Sequence, residues 1–210
     1  MNEIAVKPEK PDLLAVEGKD EVSFFEALFD HMGITGIQIM DMGGKDRFRG
    51  MAQLIFQASD FDMVRRIGLV RDAESNKAEA AFRSICGVLK ANGLHSPANA
   101  GEIERQSGRA VGIFIMPDNH SNGMLEDLCL QSVKQNPSFQ CVDSFFDCLS
   151  KKAQARDWPV SHPSKALVLA YLSTRAEICN SLGIAARKGY WDFSHPCFAN
   201  IKAFLQELFA

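Results

Sequence analysis

A chain of 210 residues that is 46% hydrophobic and 23% charged has an ordinary globular composition, long enough to bury one substantial core with an appendage. Its 23 basic and 26 acidic residues leave a formal net charge of −3, so attraction to a polyanion must come from local basic clusters or a bound cation rather than from the whole-molecule field. The six cysteines, Cys86, Cys129, Cys141, Cys148, Cys179 and Cys197, contain no C-x-x-C pair and argue against a zinc or disulfide framework, while a polar Met1–Pro11 lead-in and the lack of an apolar run of about 18 residues predict a soluble, cytoplasmic protein.

Leu13-Leu14-Ala15-Val16 is an unbroken apolar run closed by Glu17-Gly18, the pattern of a buried strand and a tight turn. Asp20 to Met32 places Val22, Phe25, Leu28 and Phe29 at helical spacing, with Gly33 as the stop. The unit then repeats. Ile34 to Met40 reads as a strand, Gly43-Gly44-Lys45 as a turn, and Asp46 to Ala58 as a helix turning Phe48, Met51, Leu54 and Ile55 inward. A third copy runs from the strand Ile67–Val70 through the turn Arg71–Ser75 to a helix over Asn76–Asn92.

Gly93 to Gly108 is polar and reads as a loop, and Ala110–Met116 as a fourth strand, followed by a helix over Gly123–Gln135. Alternating strands and helices predict an α/β fold with about four mainly parallel strands and helices on both faces. Helices over Leu149–Gln154, Lys165–Leu182 and Asn200–Phe209 then predict a mostly helical extension, giving a core over 1–135 and an extension over 136–210 packed on it. Trp158, Tyr190 and Trp191 suit packing anchors of that extension better than base-stacking platforms, although Arg187-Lys188 stands beside Tyr190. The five histidines show no metal-site spacing and are read as structural.

In an open parallel sheet, sites form beyond the carboxyl ends of the strands. Glu17 follows the first strand, Gly43-Gly44-Lys45 the second, Asp72 and Glu74 the third, and Asp118 the fourth, with Glu126 and Asp127 in the helix beyond. Taken singly, each residue has a plainer explanation. Glu17 could be a solvated turn residue, Asp72 or Ser75 a helix cap, and Glu126 and Asp127 acids complementing a helix dipole. Lys45, Arg47 and Arg49 could form a solvated helix face as readily as a phosphate contact. Three acids placed independently at one sheet edge favour a shared site.

Val16-Glu17-Gly18-Lys19-Asp20-Glu21 resembles the V-E-G-x-x-E signature of the Toprim fold, shared by primases, type II topoisomerases and OLD-type nucleases. Val70-Arg71-Asp72-Ala73-Glu74 is similar to the acidic-x-acidic pair that Toprim domains carry after the third strand. The family usually has two aspartates there, and the extra methylene of Glu74 moves its carboxylate outward. With Gly43-Gly44-Lys45 and Gly123-Met124-Leu125-Glu126-Asp127, the layout resembles small stand-alone Toprim proteins of uncharacterised function related to the OLD group, over about two thirds of the chain.

The resemblance implies Mg²⁺ or Mn²⁺ held by carboxylates, because such hard cations prefer oxygen ligands and leave positions for phosphate. Asp72 and Glu74 would be the primary ligands, with Glu17 completing the shell through water or acting as general acid/base, and Glu21 sharing its face. Glu126 and Asp127 would hold a second ion. Gly18, Gly43 and Gly44 would let the backbone approach a phosphate, and Lys45 would neutralise one of its oxygens. The implied activity is phosphodiester chemistry on nucleic acid, with a phosphotransferase or hydrolase acting on a small nucleotide as a variant. The alternative is a non-catalytic module binding metal, nucleotide or a partner protein, since the chain has no G-x-x-x-x-G-K-[ST] motif for the ATPase of larger OLD-type enzymes.

Overall fold

The computed structural model describes residues 7–75, 77–152 and 161–210, so Asn76, Trp158 and the end of the helix predicted over Leu149–Gln154 lie outside the described residues. Five strands form one sheet: β1 (Asp12–Val16), β2 (Ile37–Asp41), β3 (Arg66–Asp72), β4 (Ile103–Gln106) and β5 (Arg109–Met116). Their order is β2-β1-β3-β5-β4, with only β4 antiparallel to its neighbour. This is the mainly parallel α/β architecture that the strand-helix alternation predicts. The helices are α1 (Lys19–Met32), α2 (Lys45–Phe56), α3 (Ala78–Ala91), α4 (Leu125–Ser132), α5 (Pro137–Lys152), α6 (Pro163–Leu172), α7 (Leu182–Arg187) and α8 (Ala199–Phe209).

Strand side chains alternate between two faces, and the core divides accordingly. Leu13, Ala15, Ile67, Leu69, Val111, Ile113 and Ile115 meet Phe48, Ala52 and Ile55 of α2 and Ile85 and Val88 of α3. Leu14, Val16, Val70, Phe114 and Met116 face the other way, against Phe24, Phe25 and Leu28 of α1, Leu128 of α4 and Phe204, Leu205 and Leu208 of α8. Strands buried on both faces explain why their sequences are continuous apolar runs rather than alternating ones. No helix among the described residues is long and apolar enough to cross a membrane.

Three elements differ from the sequence reading. The segment predicted as a loop contains β4, whose sequence Ile-Glu-Arg-Gln has no apolar run. It is a strand because Ser107 and Gly108, both at positive φ, turn it back along β5 in a two-residue hairpin. The helix predicted over Lys165–Leu182 is two helices, α6 and α7, since the Ser173 and Thr174 hydroxyls donate to the carbonyls of Ala170 and Tyr171 and end the first. The Ser181 hydroxyl then accepts from Ile184 N at 3.1 Å and caps the second. Finally, α5 begins at Pro137, well before Leu149, with the proline in the first turn.

The carboxyl-terminal helix docks on a flattened strip of sheet. Gly68 of β3 and Gly112 of β5 are register partners, and both turn their missing side chains toward α8. A Cβ on Gly112 would stand 2.7 Å from Phe204 Cε2, and one on Gly68 would stand 3.1 Å from Leu208 Cδ2. Trp191 anchors the same layer, stacking on Tyr171 at 5.7 Å and donating its indole N–H to Leu182 O at 3.0 Å. Gly112→Ala should therefore overpack this interface and lower stability by about 1–3 kcal/mol. The check is the midpoint of guanidinium unfolding, and an unchanged midpoint would show that this close approach does not set the docking of α8.

Candidate carboxylate site at the carboxyl edge of the sheet

The chain leaves β1 outward to β2 with α1 on one face, then returns to β3 with α2 on the other. The strand order therefore reverses between β1 and β3, and a crevice opens where their carboxyl ends diverge. Glu17 and Asp72 stand on the two sides of that crevice. The parallel register pairs Asp12 with Arg66 and Ala15 with Leu69. Continued past the strand, it sets Glu17 beside Arg71 and next to Asp72.

Backbone hydrogen bonds draw the surrounding turns together. Met42 N donates to Val16 O at 2.9 Å and Gly44 N to Glu17 O at 2.7 Å, hanging the Gly43-Gly44 turn on the end of β1. Both glycines have positive φ, 74° and 90°, as this tight reversal requires. On the other side, Glu74 and Gly123 exchange N–H···O bonds of 2.8 Å each, joining the turn after β3 to the approach to α4. Glu74 itself adopts φ 55°, an uncommon left-handed conformation for a branched-free but bulky side chain, held by that double bond.

Four carboxylates share the crevice. Asp72 Oδ1 accepts from Leu125 N, the first amide of α4, at 3.1 Å. Its pKa is raised well above the ordinary carboxylate value, first by burial and then by the charges of Glu17, Glu126 and Glu21. Burial also raises Glu17, against the opposing pull of Arg71. Glu21 lies in the first turn of α1 with its Oε2 3.0 Å from where a Gly18 Cβ would be, and burial together with Glu126 and Glu17 pushes it up to about 6. Glu126, in the first turn of α4, is raised by burial while Lys165, at 3.8 Å, lowers it.

Glu17 Oε2 is buried without a hydrogen-bond partner. The Arg71 guanidinium stands 3.9 Å away, too far for a hydrogen bond, and its Nε is likewise buried and unmatched. Thus a buried carboxylate oxygen in the crevice faces a cation without being hydrogen-bonded by it.

The remaining sequence candidates are placed differently. Glu74 makes an ion pair with Lys45 across the crevice mouth. Asp127 turns from the cluster to cap its own helix, accepting Met124 N at 2.7 Å and the Ser164 hydroxyl. Asp118 is a turn anchor, since its Oδ1 accepts from His120 N and Ser121 N at 2.9 and 2.7 Å. Asp72 does not cap the helix that follows it, because α3 begins only at Ala78. Gly18 keeps the path of Glu21 open, and Gly43 and Gly44 shape the adjoining turn.

Arg71 was not singled out by sequence, yet it joins the site to the opposite face of the sheet. Its signal is an arginine at the end of an apolar strand, one position out of phase with Asp72. The donor set is all oxygen, the type that Mg²⁺ and Mn²⁺ prefer. Among the described residues, no group of three or more His, Cys, Asp or Glu side chains is placed so that it could together hold a metal ion. An open arrangement of one or two carboxylates, with water filling the remaining positions, fits that geometry and is the usual mode for Mg²⁺.

Comparisons with known proteins place this geometry in context. A hypothetical protein from Pyrococcus horikoshii OT3, PH0156, superposes with a TM-score of 0.57 at 16% identity, covering 94% of each chain. The C-terminal region of the OLD protein of Xanthomonas campestris pv. campestris superposes at 0.52 with 12% identity, covering 95% of this chain and 92% of that one. A second structure of that region gives 0.51 at 13% identity, covering 95% of both. These likenesses establish a shared Toprim-like fold. No curated protein matches the sequence. Residues 11–210 match the family described as "Protein of unknown function (DUF3226)", and the chain belongs to that family.

Proposed function

We propose that the crevice holds Mg²⁺ or Mn²⁺ and that the chain uses it for phosphodiester chemistry on nucleic acid. The observation that carries this reading is the crowding of Glu17, Glu21, Asp72 and Glu126 in one desolvated crevice, where each is raised by burial and Asp72 and Glu21 also by their neighbours' charge. Like charges gathered at the expense of stability are the mark of a site built for an absent cation or a proton-transfer task. The fold shared with the OLD region supports the same reading.

Within this proposal Asp72, held by the Leu125 amide, is the fixed ligand, and Glu17 with its free Oε2 is the second. A divalent ion there would neutralise charge on a phosphate oxygen and activate a bound water. Glu21, titrating near 6, can take or give a proton close to neutral pH. Lys45 would neutralise a phosphate oxygen once Glu74 releases it, and Glu74 would then be free to reach the ion. The Lys45–Glu74 pair also favours a second reading, in which the crevice binds metal or nucleotide without turnover.

Two measurements test these statements. Mn²⁺ or Mg²⁺ at about 100 times its Kd should raise the melting temperature by about 5 °C or more, and Asp72→Asn should abolish the rise and lower any cleavage of DNA or RNA by roughly 100-fold or more. Metal uptake without cleavage of any nucleic acid form would select the non-catalytic reading. The second concerns pH in the absence of metal. Because the folded pKa of Glu21 lies near 6, above the 4.5 of an unperturbed glutamate, the folded state holds the proton more tightly and loses stability as pH rises between those values. Glu21→Gln removes that penalty, so it should stabilise the protein by up to about 2 kcal/mol at pH 8 and by little at pH 4.5. A difference between variant and wild type that does not grow with pH in urea unfolding would show that Glu21 is not charged against its neighbours.

A further inference from the structure

On the face opposite α1 and α4, α2 and α3 leave between them a groove of about 430 Å³ lined by Lys45, Arg49, Arg71, Arg83 and Ser84 over a floor that includes Phe48. Four of these side chains are cationic in a protein whose net charge is −3. Lys45 and Arg49 are one helical turn apart on α2, about 6 Å along one face, so the positive charge forms a row rather than a point. Arg71 closes the inner end. Its guanidinium lies 5.7 Å from the Phe48 ring centre and donates to Ser84 Oγ at 3.2 Å. Its Nε is buried and unmatched.

Lys45 is paired with Glu74, but Arg49 and Arg83 leave their charges largely unengaged. The Arg49 guanidinium has no ion pair or hydrogen bond among the described residues. Among the described residues Arg83 pairs only with Glu79, at 3.6 Å, with side chains 71% and 68% exposed, an arrangement that contributes little. Among the described residues, no acidic side chain lines the groove. At the closed inner end Arg71 stands 3.9 Å from Glu17, and at the outer end Lys45 pairs with Glu74, so the groove borders the carboxylate crevice at both.

We infer that this groove carries the phosphate backbone of a single nucleic-acid strand, next to the bond presented to the carboxylates. The inference rests on the proposed function for the identity of the strand, and it adds where the strand runs. A row of cations fits successive phosphates better than a single anion, and a floor whose aromatic ring is buried offers no platform for a base. Binding there is therefore independent of sequence.

The test is fluorescence anisotropy of labelled single-stranded oligonucleotides of about 20 nucleotides, in EDTA so that no ion bridges the strand to the crevice. Wild type should bind oligonucleotides of unrelated sequence alike. The double variant Arg49→Ala, Arg83→Ala should bind about tenfold more weakly and lose about 1.4 from the slope of log K against log salt, the value for two single-strand phosphate contacts. Both residues are exposed, so folding should be unchanged, and Arg49→Lys with Arg83→Lys should recover most of the slope. Equal affinity and slope in wild type and the alanine variant would overturn the groove, as would a nucleoside triphosphate binding as tightly as the oligonucleotide. Mn²⁺ uptake, followed separately by melting temperature, reports on the crevice alone. Loss of oligonucleotide binding with uptake intact in the alanine variant supports the groove, whereas a wild type that binds strand through it but takes up no ion sinks only the metal reading.

Discussion

The parallel pairing of β1 with β3 is the constraint on which the rest depends. Both strands are central, both are buried on two faces, and both end at the same edge of the sheet. Their pairing leaves the carboxylates that follow them nowhere to separate, and burial denies those carboxylates the water that would screen them. The two apolar clusters on the faces of the sheet hold this arrangement against its own electrostatic repulsion. A site of this kind can be stable only because the core beneath it is large.

The same strands sort charge by the alternation of their side chains. Arg71 and Asp72 are adjacent in β3 and leave it on opposite faces. Asp72 joins the first turns of α1 and α4, where Glu21 and Glu126 stand, while Arg71 enters the space between α2 and α3. A sheet one residue thick therefore separates an anionic crevice from a cationic groove, and Glu17 at the end of β1 couples to both. Under the proposed function, a phosphate chain crossing this edge would meet opposite signs within one short stretch, with a cation needed only on the acidic side.

The helices after β5 complete the site and are more than a cover. The first amide of α4 donates to Asp72, and α4 brings Glu126 to the crevice. Further along the chain, Ser181 and Leu182 of the α7 start donate to Asp20 at the start of α1, and Gly183 has no room for a side chain against the Asp20 carbonyl, 2.5 Å from where its Cβ would be. The helix carrying Glu21 is thereby held at its amino end by a segment 162 residues away in sequence. The order of the acids depends on packing at the far end of the chain.

The alternation of strand and helix, the parallel sheet and the location of Glu17, Asp72 and Glu74 just after strands were legible in the sequence, because apolar runs, helical spacing and turn glycines are local patterns that fold the same way wherever they occur. Tertiary structure alone decided the partners. Glu74 meets Lys45, Asp127 caps α4, Arg71 enters the groove, and β4 exists only as the return arm of a hairpin on β5. Such choices depend on which elements lie side by side and how far each side chain reaches. Spacing along one segment carries no record of that distance through space.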